Sequence, residues 1–169
     1  MSEPIINKVA ESGLVSIELD QFLPAEEIVS FDLKPFLFMG MILKEKDFRA
    51  ALLQHDWSAY SGKIAAIHCS ADAIIPVWAY MLSASYLQPV AADLYFGNPD
   101  EALKESLIKK MSDIDVTEYR DKRVVVKGCG EKKIEAYAYL EITKRLLPVV
   151  KSIMYGEPCS TVPIFKKKN

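Results

Sequence analysis

The chain has 169 residues, and its 21 lysines and arginines nearly balance its 23 aspartates and glutamates, so the formal charge is −2. Half of the residues are apolar, which is enough to bury a core. This composition excludes a disordered chain and a strongly basic nucleic-acid-binding protein. We therefore expect a single domain over residues 1–169 that has no nucleic-acid partner.

The first residues, MSEPIINKVAESG, contain acidic side chains and no apolar segment, so they do not form a secretory signal. We therefore expect a cytoplasmic protein. Residues 14–19 alternate as a strand, and residues 28–33 predict a second strand that pairs with it. Residues 44–55 have the pattern of a helix. Residues 1–55 thus predict an N-terminal strand and helix addition to the fold.

Within this addition, residues 36–43 (FLFMGMIL) form an apolar run that is too short to assign by its period. It could be a buried strand or a helical turn. Met-rich apolar stretches belong to the core far more often than to a binding surface. We therefore expect this run to be buried.

An internal repeat organises the rest of the chain. An offset of 59 residues aligns residues 56–100 with residues 115–159. Identical pairs at this offset include Asp56 and Asp115, Tyr60 and Tyr119, Lys63 and Lys122, Tyr80 and Tyr139, and Gly97 and Gly156. Each copy has the pattern of a strand, a helix and a second strand, which predicts a duplicated βαβ unit with parallel strands and right-handed crossovers.

The predicted strand, helix and strand cover 63–68, 75–87 and 91–96 in the first copy, and 122–127, 133–147 and 150–155 in the second. Residues 101–114 predict a connecting helix, and residues 160–169 predict a solvated basic tail. The expected fold class is therefore α/β, with a largely parallel sheet that is flanked by helices.

Residues 73–92 carry no charge, and a run of 20 residues is long enough to span a membrane. Prolines and serines interrupt this run, and the equivalent helix of the second copy contains charged residues such as Glu141 and Lys144. These features favour a buried helix of an α/β core over a membrane span. We therefore expect no membrane partner.

Three cysteines are an odd number and too few for a disulfide scaffold, so we expect free or metal-bound thiols. Cys69 and Cys129 follow the first strand of each copy, and Cys159 follows the last strand. Ligands of parallel sheets bind beyond the carboxyl ends of the strands. The repeat therefore predicts that the three thiols lie at one edge of the sheet.

Clustered thiols have alternative uses. Three thiolates with a fourth ligand from His68, Asp72 or Glu157 would hold zinc, iron or an iron–sulfur cluster. Alternatively, Cys69 or Cys129 would be the nucleophile of an enzyme that acts on an acyl or persulfide substrate. In a third hypothesis the thiols are inert and the protein is an interaction module that forms a homodimer.

The sequence lacks the motifs that some reactions require. CSADAII contains no arginine, which argues against phosphoryl transfer at Cys69, and GCGEK lacks a complete glycine-rich phosphate loop. His68 adjoins Cys69, but adjacent strand residues point to opposite faces of a sheet, so they are not expected to act as a pair.

The segments ILKEKDFR, HDWSAY, CSADAIIPVWAYML, EYRDKRVVVKGCG and RLLPVVKSIMYGEPCSTVP resemble the domain of unknown function 2480 family, which is found in Bacteroidetes. The resemblance extends over nearly the whole chain beyond the first few residues. The family has no established activity, and the resemblance implies a link to iron–sulfur cluster assembly, with assembly proteins as partners. The family's motif segments map onto Cys69, Asp72, Cys129, Gly130, Cys159 and Ser160.

Overall fold

The computed structural model describes residues 13–128, 133–157 and 159–168. Its strands are β1 (Leu14–Ile17), β2 (Ile28–Asp32), β3 (Ile64–His68), β4 (Asp93–Phe96), β5 (Arg123–Val126), β6 (Ser152–Glu157) and β7 (Ser160–Lys166). Its helices are α1 (Glu45–Gln54), α2 (Val77–Leu87), α3 (Pro99–Ser112) and α4 (Ala136–Leu146). The protein therefore has the mixed α/β fold that the sequence predicts.

The chain divides into two compact units. Unit 1 comprises Met1–Leu23 and Leu107–Asn169, and unit 2 comprises Pro24–Ser106. Each unit has its own sheet, so the parallel strands lie in two sheets and not in one. That residues 1–169 form a single domain stays a prediction.

Unit 2 contains a parallel sheet with the order β2-β3-β4. Side chains of β2 and β3 that point to the same face form a core with α1 and α2. The buried residues of this core include Phe31, Ala65 and Ile67 from the strands, Phe48 and Leu52 from α1, and Ala79 and Leu87 from α2. Phe48 and Leu52 are four residues apart, so they share the buried face of α1.

Unit 1 contains a sheet with the order β1-β5-β6-β7, in which β7 is antiparallel to β6 and the other pairs are parallel. In its core, every second side chain of the strands packs against one face of α4. The buried members include Ile17, Val124, Val126 and Ile153 from the strands, and Ala138, Ile142 and Leu146 from α4.

Equivalent hydrogen bonds recur 59 residues apart in the two units. The side chain of Asp56 accepts from the Ser58 amide at 3.0 Å, and that of Asp115 accepts from the Thr117 amide at 3.0 Å. The registers also correspond, because Ile64 pairs with Asp93 in unit 2 and Arg123 pairs with Ser152 in unit 1. An origin of these elements in one duplicated βαβ unit stays a prediction.

The predicted pairing of residues 14–19 with residues 28–33 is wrong. β1 pairs with β5 in unit 1, whereas β2 pairs with β3 in unit 2. Alternation identifies a strand but does not identify its partner. The predicted tail is also wrong for residues 160–166, because this segment forms β7 and hydrogen-bonds to β6. Val162 and Ile164 are apolar residues two positions apart, which is a spacing typical of a strand.

The expected burial of residues 36–43 is wrong for much of the run. Phe38 and Ile42 form an antiparallel bridge around a turn, and Met39 and Gly40 at its tip have positive φ angles of 51° and 71°. The side chains of Phe38, Met39, Met41 and Ile42 are exposed. A tight turn in this position turns apolar side chains outward, which a composition rule cannot anticipate.

Among the described residues, no helix has both the length and the hydropathy that a membrane crossing requires. The uncharged run at 73–92 contains α2, which has 11 residues. About 20 residues are needed for a span.

Gly156→Ala is expected to destabilise unit 1 by about 3 kcal/mol. Gly156 has a φ of +119°, and a Cβ there would lie 2.6 Å from the Ser160 carbonyl oxygen. Gly62→Ala is the control, because Gly62 has a φ of +67° but no atom within 4 Å of the added Cβ. We expect about 1 kcal/mol for Gly62→Ala in urea unfolding followed by circular dichroism, and equal losses for both variants would contradict the steric account.

Candidate functional site

The carboxyl ends of β2 and β3 meet in unit 2, where Asp32 and His68 are register partners. One Asp32 carboxylate oxygen accepts hydrogen bonds from the amides of Lys34 and Ser70, each at 2.9 Å. The other carboxylate oxygen accepts from the Ser70 hydroxyl at 2.5 Å. Asp32 therefore ties the loop after β3 to the end of β2.

Burial raises the pKa of the Asp32 carboxyl, but hydrogen bonds from Ser70 and Lys34 and the nearby His68 outweigh it, so the pKa lies below its ordinary value of 3.8. A lowered pKa in the folded state means that folding favours the carboxylate. The stability from this network is therefore fully present above about pH 4 and is lost as the pH falls through the lowered pKa.

Asp32→Asn is expected to lower the free energy of unfolding by about 1 kcal/mol at pH 7. The same variant should lose less stability than the wild type on acidification below pH 4, because it lacks the titrating carboxylate. Urea unfolding at neutral pH and at pH values below 4 measures both effects. Ser70→Ala should also weaken the acid dependence, and parallel acid profiles for wild type and Asp32→Asn would contradict this assignment.

His68 at the end of β3 and Cys69 directly after it have different surroundings. The Nε2 atom of His68 lies 2.7 Å from the Ser30 hydroxyl oxygen. Cys69 instead packs against the unit 2 core. The sequence offers no signal for the contact between Ser30 and His68, because the two residues are 38 positions apart.

The structure does not bring two described thiols into the same unit. Cys69 is half-buried in unit 2, Cys159 is exposed in unit 1, and Cys129 lies outside the described residues. Asp72, another predicted ligand, is exposed in unit 2, and Glu157 ends β6 in unit 1. Over residues 13–128, 133–157 and 159–168, no group of three or more His, Cys, Asp or Glu side chains could hold a metal ion. The metal site and the cysteine nucleophile stay predictions.

A cavity of about 310 Å³ lies beside α4 and the carboxyl ends of β5 and β6 in unit 1. Its lining residues are Val126, Ala136, Tyr139, Thr143, Ile153, Met154, Tyr155 and Ile164. The rings of Tyr139 and Tyr155 meet edge to face, with centroids 5.7 Å apart. None of these side chains is a carboxylate, an imidazole, a thiol or a cation, and hydroxyl groups are the only polar side-chain groups in this mainly apolar lining.

Four exposed apolar residues of unit 2 lie on and beside α2, apart from the exposed apolar residues of the turn at 38–42 and Leu53 on α1. Val77 is 75% exposed and Met81 is 68% exposed, and their spacing of four residues places them on one face of the helix. Ile74 precedes this face and is 94% exposed, while Phe96 at the end of β4 is 67% exposed. Tyr80 joins the two elements, because its ring contacts the Phe96 ring at 5.2 Å. We call Ile74, Val77, Met81 and Phe96 the apolar patch.

The equivalent face of α4 in unit 1 is charged. Leu140 corresponds to Met81 at the 59-residue offset and is 69% exposed, but lysines 133 and 144 stand where unit 2 has Ile74 and Ser85. The fold therefore tolerates charge on this face, and the apolar patch is confined to unit 2. Residues 73–92 contain the predicted helix of an α/β core, and its buried face carries Ala79, Ser83 and Leu87, whereas the opposite face is exposed.

A protein-family model described as "Protein of unknown function (DUF2480)" matches residues 3–167. No curated protein and no solved structure matches the chain. Because the family model covers nearly all of the sequence, the chain belongs to the DUF2480 family.

Proposed function

We propose that this protein is an interaction module that pairs with a second copy of itself through the apolar patch. The observation that carries the proposal is the exposure of Ile74, Val77, Met81 and Phe96, each at two-thirds or more. Large exposed apolar patches on soluble proteins mark sites of association, whereas single exposed apolar residues do not.

The charge of the surface favours a second copy as the occupant. Residues 73–92 carry no charged side chain, so a two-fold arrangement of α2 against α2 opposes no like charges from this segment. A two-fold interface uses the same surface on both subunits and must therefore be self-complementary. The α4 face instead carries ion pairs, because Lys133 pairs with Glu135 and Lys144 pairs with Glu141. An apolar interface there would remove water from these charges, which disfavours pairing through α4.

The size of the apolar patch is consistent with the centre of a small interface. Four large side chains at these exposures present on the order of 500 Å² of apolar surface. A standard interface buries about 800 Å² on each partner and has an apolar centre with a polar rim. Ser85 and Gln88 are exposed at the far end of α2 and would contribute to that rim.

In this proposal the described thiols have no ligand or catalytic role. Cys69 packs against the unit 2 core, and neither Cys69 nor Cys159 belongs to the apolar patch. A dimer built on α2 needs no metal, so we expect Cys69→Ser and Cys159→Ser to retain it. Analysis of zinc and iron in anaerobically purified protein tests the metal hypothesis separately.

Sedimentation velocity over a range of micromolar concentrations tests the proposed pairing. We expect the mass to approach twice the 19.0 kDa of one chain as concentration rises. A mass that stays at that of one chain up to the highest soluble concentration would contradict the proposal. Loss of the dimer in either cysteine variant would favour a role for the thiols instead.

A further inference from the structure

A second cavity in unit 1, of about 450 Å³, is lined by cations and lies away from the strand ends that hold the apolar cavity. Its lining residues are Arg123, Lys151, Ser152, Met154, Pro163, Phe165 and Lys166. We call it the basic cleft. Arg123, Lys151 and Lys166 are all exposed, so their charges are accessible to a ligand.

The pairing of the strands places the polar residues of the basic cleft next to one another. Arg123 on β5 pairs with Ser152 on β6, and Ser152 pairs with Lys166 on β7. Residues that pair directly across a sheet lie in one row, with neighbouring strands about 4.8 Å apart. The row therefore places a hydroxyl group between a guanidinium and an ammonium group. Lys151 precedes Ser152 and adds a third cation.

The three cations lack acidic partners within the described part of the chain. No ion pair there involves Arg123, Lys151 or Lys166, and the neighbouring Lys167 makes a long contact of 3.7 Å with the exposed Asp121. Like charges in one row are destabilising. The formal charge of the whole chain is −2, so this concentration of cations is a local feature and not a consequence of composition.

Unit 2 lacks these charges at the equivalent positions. Ile64 and Asp93 form the row that corresponds to Arg123 and Ser152, and Ala92 stands where unit 1 has Lys151. The fold therefore does not require a basic cleft. A proline and a lysine on an edge strand can block edge-to-edge aggregation, which accounts for Pro163 and Lys166 on β7. It does not account for Arg123, because β5 is an inner strand.

We propose that the basic cleft binds an organic phosphate ester, with the phosphate on the cations and an apolar body on the floor of the cleft. Arg123 presents a planar fork of donors that matches a phosphate group, and Lys151 and Lys166 supply two further charges. Ser152 adds a hydroxyl donor between the strands. Met154 and Pro163 are register partners two residues along from the row and form an apolar floor, which gives an ester with an aromatic or alkyl group an advantage over inorganic phosphate.

Titration of the isotope-labelled protein with phenyl phosphate, followed by amide chemical shifts, tests this proposal. We expect saturable shifts at Arg123, Ser152 and Lys166, weaker binding of inorganic phosphate, and no binding of phenol. Arg123→Gln and Lys151→Gln should each weaken phenyl phosphate binding at least tenfold. Added salt should weaken binding because the interaction is between opposite charges.

Lys46→Gln is the matched control, because it makes the same change in net charge on α1 of unit 2. It should leave the affinity unchanged, and circular dichroism should show that all variants fold. Absence of saturable shifts, an equal affinity for inorganic phosphate, or an equal loss in Lys46→Gln would each overturn the proposal. These readouts concern unit 1 and do not depend on pairing through the apolar patch.

Discussion

Met81→Glu is expected to raise the dissociation constant of the dimer by at least about 100-fold, which corresponds to about 2.7 kcal/mol. Met81 lies at the centre of the exposed face of α2, and a two-fold interface contains it twice. A carboxylate at this position would lose its hydration without gaining a cationic partner, because residues 73–92 contain none. Sedimentation velocity of the variant should therefore give the mass of one chain at concentrations where the wild type is a dimer.

Leu140→Glu is the control for this substitution. Leu140 occupies the same position of the repeat as Met81 and has nearly the same exposure, at 69% against 68%. We expect it to leave the dissociation constant unchanged. A dimer that survives Met81→Glu, or one that dissociates only in Leu140→Glu, would contradict the assignment of the interface to α2.

Phe31→Ala is expected to destabilise unit 2 by about 3 to 5 kcal/mol. Phe31 is 1% exposed, and its ring contacts those of Phe36, His55, Trp57 and Tyr60 with centroid distances between 5.5 and 5.7 Å. Alanine would leave a cavity among these rings, and their rigid shapes limit how far the surroundings can close it.

Tryptophan fluorescence during urea unfolding measures this loss in unit 2, since both tryptophans of the chain, Trp57 and Trp78, belong to that unit. Phe38→Ala is the control, because Phe38 is exposed at the turn after β2 and should change the free energy of unfolding by less than about 1 kcal/mol. Similar losses in the two variants would show that Phe31 does not organise the core.

The elements of the repeat could be predicted because short-range patterns determine them. The strand at 63–68 is Ile64–His68 in the structure, and the helix at 75–87 is Val77–Leu87. The partner of a strand depends on contacts between distant residues, so the separation of β1 and β2 into two sheets could not be seen in the alternation. The division into two units also depends on contacts between residues that are distant in the sequence, so the sequence pattern does not predict it.

Less of the candidate site than of the fold could be predicted from the sequence. Uncharged residues around α2 suggested burial, but periodicity does not show which face of an apolar helix has a partner. The basic cleft depends on a row that joins Arg123 to Lys166 through Ser152, and the sequence predicts a tail where the structure has β7. The sequence predicts that the cysteines meet at one sheet edge. Cys69 follows β3 in unit 2 and Cys159 lies between β6 and β7 in unit 1, so their convergence stays a prediction.

The solvent accessibility of the Met81 methyl group in the associated protein tests the pairing through the apolar patch most directly. Methyl-labelled methionine and a soluble paramagnetic agent would measure it, with added free methionine as the exposed reference and the buried Met111 as the protected one. At high protein concentration the Met81 methyl should relax as slowly as that of Met111, and on dilution its relaxation should approach that of free methionine. A Met81 methyl group that is equally accessible to the agent at every concentration would contradict the account.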